Sequence, residues 1–232
     1  MSLLEIRDVH TFIGQFHILE GVSVEVPRGS VVALLGRNVA GKTTTLKTIL
    51  GLTPARSGEF IFDGQEITGL RSFDIAAMGI GYVPEHRAVF SDLSVEENLR
   101  IAERRKGDLE RKEDLIFGLF PDLKRLIGLP GTSLSGGQQQ MLAVARALVP
   151  DNRLLLIDEP SEGLAPVLIE QMIEAISRLS DTTTVLLVEQ NFIVASRLGT
   201  TYVIIEEGRS VKSGEMADLV DDHDTIQRYL GV

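Results

Sequence analysis

Short apolar runs alternate with amphipathic stretches along most of the chain, and three of the runs are almost continuous. They span residues 31–35, 154–157 and 184–188. Uninterrupted apolar runs of this length are typical of strands buried on both faces of a parallel sheet. From Pro166 onward, apolar residues recur at helical spacing and predict a helix that packs on the sheet. The pattern predicts an α/β fold with these three strands at the centre of its sheet.

The pattern changes between residues 85 and 149, where helical segments and mixed charge replace the strand-like runs. We interpret the chain as one domain over residues 1–232. Its sheet core would comprise residues 1–84 and 150–232. Residues 85–149 would form a helical subdomain inserted into that core.

Composition excludes several classes of function. The 232 residues include 23 Lys and Arg against 33 Asp and Glu, a net charge of −10. A protein that binds the nucleic-acid backbone needs a large basic surface, so no nucleic-acid partner is expected. The chain has no cysteine, which excludes disulfides and thiolate metal sites and suits a reducing compartment. The acidic N-terminal segment and the shortness of the apolar runs predict a cytoplasmic protein that reaches a membrane only through a partner.

A glycine-rich loop follows the first buried run and precedes a helical stretch. With the threonine after it, the loop consists of Gly36, Arg37, Asn38, Val39, Ala40, Gly41, Lys42, Thr43 and Thr44. These residues fit the phosphate-loop pattern, in which backbone N–H groups surround phosphate oxygens. Lys42 would reach the outer phosphates, and the Thr43 hydroxyl would bind Mg²⁺. The loop predicts a nucleotide site, and a glycine-rich turn without a ligand is the alternative.

Val39 stands where many such loops have a third glycine. A β-branched residue tolerates positive φ poorly, so nucleotide affinity would be reduced if the loop requires positive φ there. The alternative is that φ is negative at this position in this variant of the loop.

A second anion cradle is predicted at the start of another helix. It consists of Leu134, Ser135, Gly136, Gly137 and Gln138. Serine caps the first turn of a helix, and the free N–H groups there favour an anion. Two phosphate cradles serve one nucleotide only if the second faces a site on another subunit. The motif therefore predicts a head-to-tail dimer with ATP between the subunits, and a simple N-capping turn is the alternative.

Two carboxylates end the apolar run at residues 154–157. Asp158 and Glu159 would lie at the carboxyl edge of the sheet, where ligands bind in open α/β folds. We expect Asp158 to hold Mg²⁺ through water and Glu159 to polarise or deprotonate the attacking water. A solvated acidic strand end is the alternative.

These three motifs, in this order, resemble the ATP-binding-cassette ATPases over nearly the whole chain. The resemblance implies a P-loop ATPase core with a mixed, mainly parallel sheet, an antiparallel β element near the N-terminus and an inserted helical subdomain. It also implies that residues 161–165 cross a dimer interface and that residues 82–85 form the hinge between the core and the helical subdomain.

The resemblance extends the predicted catalytic set, with two departures from the wider family. Glu85 stands where a hinge glutamine is usual, and Gln190 stands where a switch histidine is usual. A glutamine can hydrogen-bond to a γ-phosphate or a water but cannot carry the charge of a protonated histidine. By the resemblance, Glu85 and Gln190 join Glu159 as catalytic residues, and Glu85 joins Thr43 and Asp158 at the metal.

The adenine contact also departs from the family. Ile13 stands where the family often has a tyrosine that stacks on adenine. The nearby Phe12 or Phe16 is expected to take that role.

Three further segments, at residues 81–85, 161–166 and 188–191, resemble the smaller ATPase subunit of branched-chain amino acid importers. This implies a pair of ATPase subunits, identical or related, that closes on ATP and drives two transmembrane permease subunits. A periplasmic substrate-binding protein would supply the solute, and the ATPase would lie on the inner face of the cell membrane. Permease contacts are expected at His86, Arg87, Val89, Phe90 and Leu93.

Two other functions stay open from the sequence. A soluble ATPase of the same family that acts in assembly or repair would share the three motifs. A weakly hydrolysing regulatory subunit would explain Val39, Glu85 and Gln190 together.

Overall fold

The computed structural model describes residues 1–86 and 88–231. Arg87, one of the predicted permease contacts, lies outside the described residues. In chain order the strands are β1 (Ser2–Ile13), β2 (Phe16–Pro27), β3 (Val31–Leu35), β4 (Ala55–Phe62), β5 (Gln65–Glu66), β6 (Ile80–Val83), β7 (Leu154–Asp158), β8 (Thr184–Val188), β9 (Thr201–Glu206) and β10 (Arg209–Glu215). The helices are α1 (Lys42–Ile49), α2 (Ser72–Ala77), α3 (Val95–Arg100), α4 (Asp108–Leu119), α5 (Pro121–Arg125), α6 (Gly136–Leu148), α7 (Pro166–Ser180), α8 (Phe192–Leu198), α9 (Met216–Asp221) and α10 (His223–Tyr229).

The main sheet has six strands in the order β10-β9-β3-β8-β7-β6. All neighbouring pairs are parallel except β9 and β10, which are antiparallel. Every residue of β3, β7 and β8 is buried, because helices and the second sheet cover both faces of these strands. The predicted α/β fold with a mixed, mainly parallel sheet and these three central strands is confirmed.

A second sheet, in the order β2-β1-β4-β5, is antiparallel throughout. Its long strands β1 and β2 mix buried and exposed positions, as expected when one face of an antiparallel sheet packs on the core, although register shifts interrupt strict alternation. Leu4 and Val24 from this sheet share one apolar cluster with Val32 and Leu34 of β3 and with Leu46 of α1. The antiparallel element predicted near the N-terminus is therefore confirmed.

Helices occupy the segment between β6 and β7. Among the described residues of this segment, the one β contact is an isolated bridge between Ser94 and Pro130. Met141 and Leu142 of α6 pack in the same apolar cluster as Met172 and Ile176 of α7. The exact subdomain boundaries at residues 85 and 149 stay a prediction.

Helix α7 begins with Pro166 in its first turn, as its sequence predicts. It buries one stripe of apolar side chains against the sheet and α6. Within residues 1–86 and 88–231, no helix combines the length and apolarity needed to cross a bilayer.

Candidate nucleotide site

The glycine-rich loop connects the carboxyl end of β3 to the first turn of α1. Gly36 and Gly41 have φ values of +151° and +109°. A Cβ at Gly36 would overlap the Ile205 carbonyl oxygen, and one at Gly41 would lie 2.8 Å from Leu19 Cδ2. Both positions require glycine because the loop passes close to β9 and β2. The loop is therefore held in its shape by packing from two strands.

Val39 adopts the left-handed conformation, with φ of +67°, and its side chain is 98% exposed. The alternative of a negative φ at this position is therefore wrong. A β-branched residue in this region is strained, and the exposed side chain makes little contact that would offset the strain.

The loop borders a cavity of about 350 Å³. Loop residues 38–44 line it together with the carboxylates Glu85, Glu159 and Glu162. Ile13 and Ile18 complete the lining at the β1–β2 hairpin. The cavity thus combines a backbone N–H cradle, carboxylates and a small apolar patch.

The structure places neither Phe12 nor Phe16 in this cavity. Phe12 stacks on His17, with 4.2 Å between the ring centroids and 5° between the ring planes. Phe16 pairs with Ile13 across the hairpin, and its side chain is 64% exposed. The apolar contact that the cavity offers to a base comes from Ile13 and Ile18.

Lys42 is the first residue of α1 and is 4% exposed. Its Nζ donates to the carbonyl oxygens of Gly36 at 2.8 Å and Arg37 at 3.1 Å. It also lies 3.2 Å from Glu159 Oε1. A buried ammonium is stable only when it is paired and hydrogen-bonded, and here three oxygens surround it. The same charge is placed to meet phosphate oxygens in the cavity.

Asp158 ends β7 and is completely buried. Thr43 Oγ1 donates to its Oδ1 at 3.1 Å, and the Tyr82 hydroxyl donates to its Oδ2 at 3.3 Å. The pKa of Asp158 is raised to about 6, chiefly by burial and also by the nearby carboxylates of Glu85 and Glu159, while the hydrogen bonds from Thr43 and Tyr82 act in the opposite direction. A cation near Oδ1 would reverse this shift, because it favours the charged carboxylate.

The oxygen donors around Asp158 suit Mg²⁺. Thr43 supplies a hydroxyl, Asp158 and Glu85 supply carboxylates, and Mg²⁺ prefers oxygen ligands together with waters and phosphate oxygens. Across the described residues, no three His, Cys, Asp or Glu side chains form a metal cage of their own. The donor set therefore fits a metal whose remaining ligands come from a nucleotide and water.

Glu159 lies between two cavities. Its φ is +44°, and its side chain is 12% exposed and lines the loop cavity. It also lines a second cavity of about 660 Å³, where it meets Gln190, Phe192 and Ile226. Gln190 is exposed and borders this second cavity, so the two predicted catalytic side chains face the same space from different strand ends.

Sequence reasoning missed Glu189. This residue directly follows β8, is 1% exposed, and accepts from the backbone N–H groups of Ser161 and Asn191, each at 3.2 Å. Burial raises the pKa of its carboxyl to about 7. The rule that identified Asp158, a carboxylate immediately after a fully buried strand, applies equally to Glu189.

The second cradle forms the first turn of α6. Ser135 Oγ accepts from the N–H of Gln138 at 3.3 Å, and Gln138 Oε1 accepts from the N–H of Ser135 at 2.9 Å, which is a capping box. Gly136 and Gly137 follow the cap, and a Cβ on Gly137 would overlap Leu168 of α7. The capping arrangement is therefore present in the structure, and the anion cradle at this turn stays a prediction.

The second cradle lies outside the loop cavity. Leu134 is buried, while Ser135 is exposed. None of the five cradle residues lines the cavity around Lys42 or the one around Gln190. The two predicted cradles therefore lie at separate places in one copy of the chain.

The described residues of the predicted permease contact are partly exposed. His86 is exposed, and Val89 and Leu93 are half-buried. Phe90 is 45% exposed, and the guanidinium of Arg146 lies 4.7 Å from its ring centroid. These side chains leave a mixed apolar and polar surface next to residues 82–85, the predicted hinge.

Comparisons with known proteins agree with this geometry. The ABC transporter family model matches residues 19–162. The high-affinity branched-chain amino acid transport ATP-binding protein BraG of Pseudomonas aeruginosa is 42% identical over 232 residues, covering 99% of this chain and 100% of that protein. The probable branched-chain amino acid transport ATP-binding protein LivF of Archaeoglobus fulgidus is 35% identical and covers 94% of each chain. The crystal structure of a nucleotide-free ATP-binding cassette from an ABC transporter superposes with a TM-score of 0.87 at 22% identity over 98% of each chain, which reflects a shared fold.

Proposed function

The chain belongs to the ABC transporter family of ATPases, and on that premise we propose that it is the motor subunit of an importer for branched-chain amino acids. The observation that carries the proposal is the 42% identity, over the full length of both chains, to a transport ATP-binding protein named for these solutes. Lys42 and Glu159, which line one loop cavity, support the ATPase part, as does Asp158, which is buried beside the loop and accepts a hydrogen bond from Thr43.

The residues in and beside the loop cavity have separate roles in ATP hydrolysis. The loop N–H groups and Lys42 bind the phosphates and offset their charge. Thr43, Asp158 and Glu85 would hold Mg²⁺, which supplies further neutralisation of the phosphate oxygens. Glu159 orients or deprotonates the attacking water.

Gln190 has a supporting role at the second cavity. Its side-chain amide can donate to a phosphate oxygen or accept from the attacking water, without adding a positive charge. The geometry that supports this role is the cavity that Gln190 shares with Glu159.

The separation of the two cradles supports a dimer. The cradle at Leu134, Ser135, Gly136, Gly137 and Gln138 lies outside the loop cavity, so a second ATPase subunit would bring its own cradle to the nucleotide. The second subunit is either another copy or a related chain. Residues 161–165 would cross between the subunits.

The transport complex would contain two transmembrane permease subunits and receive its solute from a periplasmic substrate-binding protein. The surface formed by His86, Val89, Phe90 and Leu93 would contact the permease. In such a complex the ATPase would lie on the cytoplasmic face of the cell membrane.

The first experiment measures the mass of Glu159→Gln by sedimentation, with Mg-ATP and separately with Mg-ADP. Slowed hydrolysis should trap a dimer with ATP and leave monomers with ADP. Wild-type phosphate release should exceed that of Glu159→Gln. Equal phosphate release from the two proteins would contradict the ATPase assignment.

A second experiment tests the transport assignment. The chain is isolated from membranes with a mild detergent, and its partners are identified by mass spectrometry. Permease subunits should co-purify with an importer motor, whereas they should not co-purify with an assembly or repair ATPase. Solute uptake that depends on Glu159 then identifies the amino acids carried.

A further inference from the structure

Glu189 is a buried carboxylate that the reaction described above does not use. It follows the last residue of β8 and is 1% exposed. It is absent from the lining of the loop cavity and borders the second cavity, beside Glu159 and Gln190. A buried carboxylate needs hydrogen-bond partners for both oxygens, so its position must be explained by its contacts.

The two oxygens of Glu189 contact two different segments. Oε1 accepts from the backbone N–H of Ser161 at 3.2 Å, and Oε2 accepts from the backbone N–H of Asn191 at 3.2 Å. Hydrogen bonds from N–H groups to a carboxylate are stronger than neutral ones and fix its orientation. The side chain therefore connects the loop after β7 to the residues that precede α8.

Both connected segments carry a residue of the reaction. Ser161 lies two positions after Glu159, whose own N–H donates to Val188 O at 2.9 Å. On the other side, Gln190 lies between Glu189 and Asn191, and Asn191 caps α8 by accepting from Ile193 N. Gln190 is thus a single residue between two anchored neighbours.

The sheet does not depend on this connection. The β8 strand is paired over its length with β3 and β7 by backbone hydrogen bonds. Loss of the carboxylate would release the two loops from each other and leave the ladder in place.

We propose that Glu189 is a positioning residue for ATP hydrolysis, whose carboxylate holds the loop at Ser161 against the segment carrying Gln190 so that Glu159 and Gln190 face the same phosphate. The proposal rests on the ATPase assignment above. Nucleotide binding should not depend on Glu189, because the groups that bind the phosphates lie on the loop at residues 36–44.

The test compares steady-state kinetics of Glu189→Gln, Glu189→Asp and wild type. Glutamine has nearly the same volume but offers only one acceptor oxygen, so one of the two loops is released. We expect kcat to fall about 10-fold or more, since small displacements at a reaction centre have large effects. KM for ATP should stay within about 2-fold, because ground-state binding is untouched. Aspartate keeps both oxygens on a shorter side chain and should recover part of kcat.

Two controls make the result decisive. Glu174→Gln removes an exposed carboxylate of α7 and should match wild type. Glu159→Gln sets the level of lost hydrolysis, and if wild type does not exceed it, the ATPase assignment fails. If wild type hydrolyses ATP and Glu189→Gln keeps its kcat, only the positioning role is overturned.

Thermal unfolding separates positioning from a general structural role. At about pH 8, where Glu189 is charged in the folded protein, the melting temperature of Glu189→Gln should not fall, because the substitution removes a buried charge. A lower melting temperature together with a matching rise in KM would overturn the proposal in favour of a structural role.

Discussion

Val39 combines a left-handed backbone with a side chain that is 98% exposed. Removing its Cβ should favour the conformation that the loop already has, by about 1 kcal/mol. We expect ATP to bind Val39→Gly about 5-fold more tightly than wild type, since about 1.4 kcal/mol corresponds to 10-fold. Isothermal titration calorimetry of the two proteins with ATP checks this expectation.

Val39→Ala serves as the matched control for that comparison. It keeps the Cβ but removes the branch, so its affinity should fall between those of valine and glycine. Equal affinities for all three proteins would show that the loop holds positive φ without cost to binding.

Glu189 should make stability depend on pH. Burial raises the pKa of its carboxyl from 4.5 in the unfolded chain to about 7 in the folded protein. Between these values the folded protein keeps a proton that the unfolded chain has released, so the free energy of unfolding falls as pH rises. Titration of this group lowers the free energy of unfolding by about 3 kcal/mol, because each pKa unit corresponds to about 1.4 kcal/mol.

Urea unfolding of wild type and Glu189→Gln at about pH 5 and about pH 8 measures this effect. The stability of wild type relative to the variant should be greater at the lower pH. A difference that is the same at both pH values would contradict the raised pKa of Glu189.

The sequence predicts some site residues better than others for physical reasons. Lys42 and Asp158 follow directly from strand ends and loop chemistry, and the structure places both at the loop cavity or against it. The residue that would contact the adenine base was not predictable in the same way. Register shifts in β1, including one between Thr11 and Phe12, decide which of Phe12 and Ile13 faces the cavity, and no local pattern reveals such shifts.

Two helices begin with the same capping chemistry, which allows a matched test. Ser94 caps α3 and Ser135 caps α6, each in a capping box with the residue three positions on. Alanine at either position should lower the free energy of unfolding by about 1 kcal/mol, the usual effect of losing a cap. Ser135→Ala should in addition lower ATP-dependent dimerisation and hydrolysis, whereas Ser94→Ala should not.

The comparison separates capping from a role in binding the partner's nucleotide. Stability is read from urea unfolding, and dimerisation is read by sedimentation in the Glu159→Gln background. If the two alanine variants lose stability and activity in the same proportion, the turn at Ser135 acts as a cap alone.

Element types were predictable where burial is complete on both faces. Strands β3, β7 and β8 are continuous apolar runs, and the structure confirms all three. The antiparallel strands followed only from the family resemblance. Their apolar alternation is broken by register shifts such as those in β1 between Ile6 and His10, so period-two patterning is weak.

The order of the strands in the main sheet could not be predicted from the apolar pattern, because strand pairing depends on contacts between distant parts of the chain. For example, β3 pairs with β8 and β9, which lie more than one hundred residues later in the sequence. What the sequence does predict at this scale is that one chain carries two phosphate cradles.

Two inactive forms of the chain should restore activity to each other, because the two cradles lie at separate places in each copy. Lys42→Ala damages one cradle and Ser135→Glu damages the other. A mixed pair places both defects at one nucleotide and leaves the other nucleotide with two intact cradles. In an equal mixture, about a quarter of the sites should recover hydrolysis by random pairing of identical subunits. If the mixture is no more active than either variant alone, the chain pairs with a different subunit. Complementation of this kind would count the nucleotide sites of a mixed dimer that contain two intact cradles.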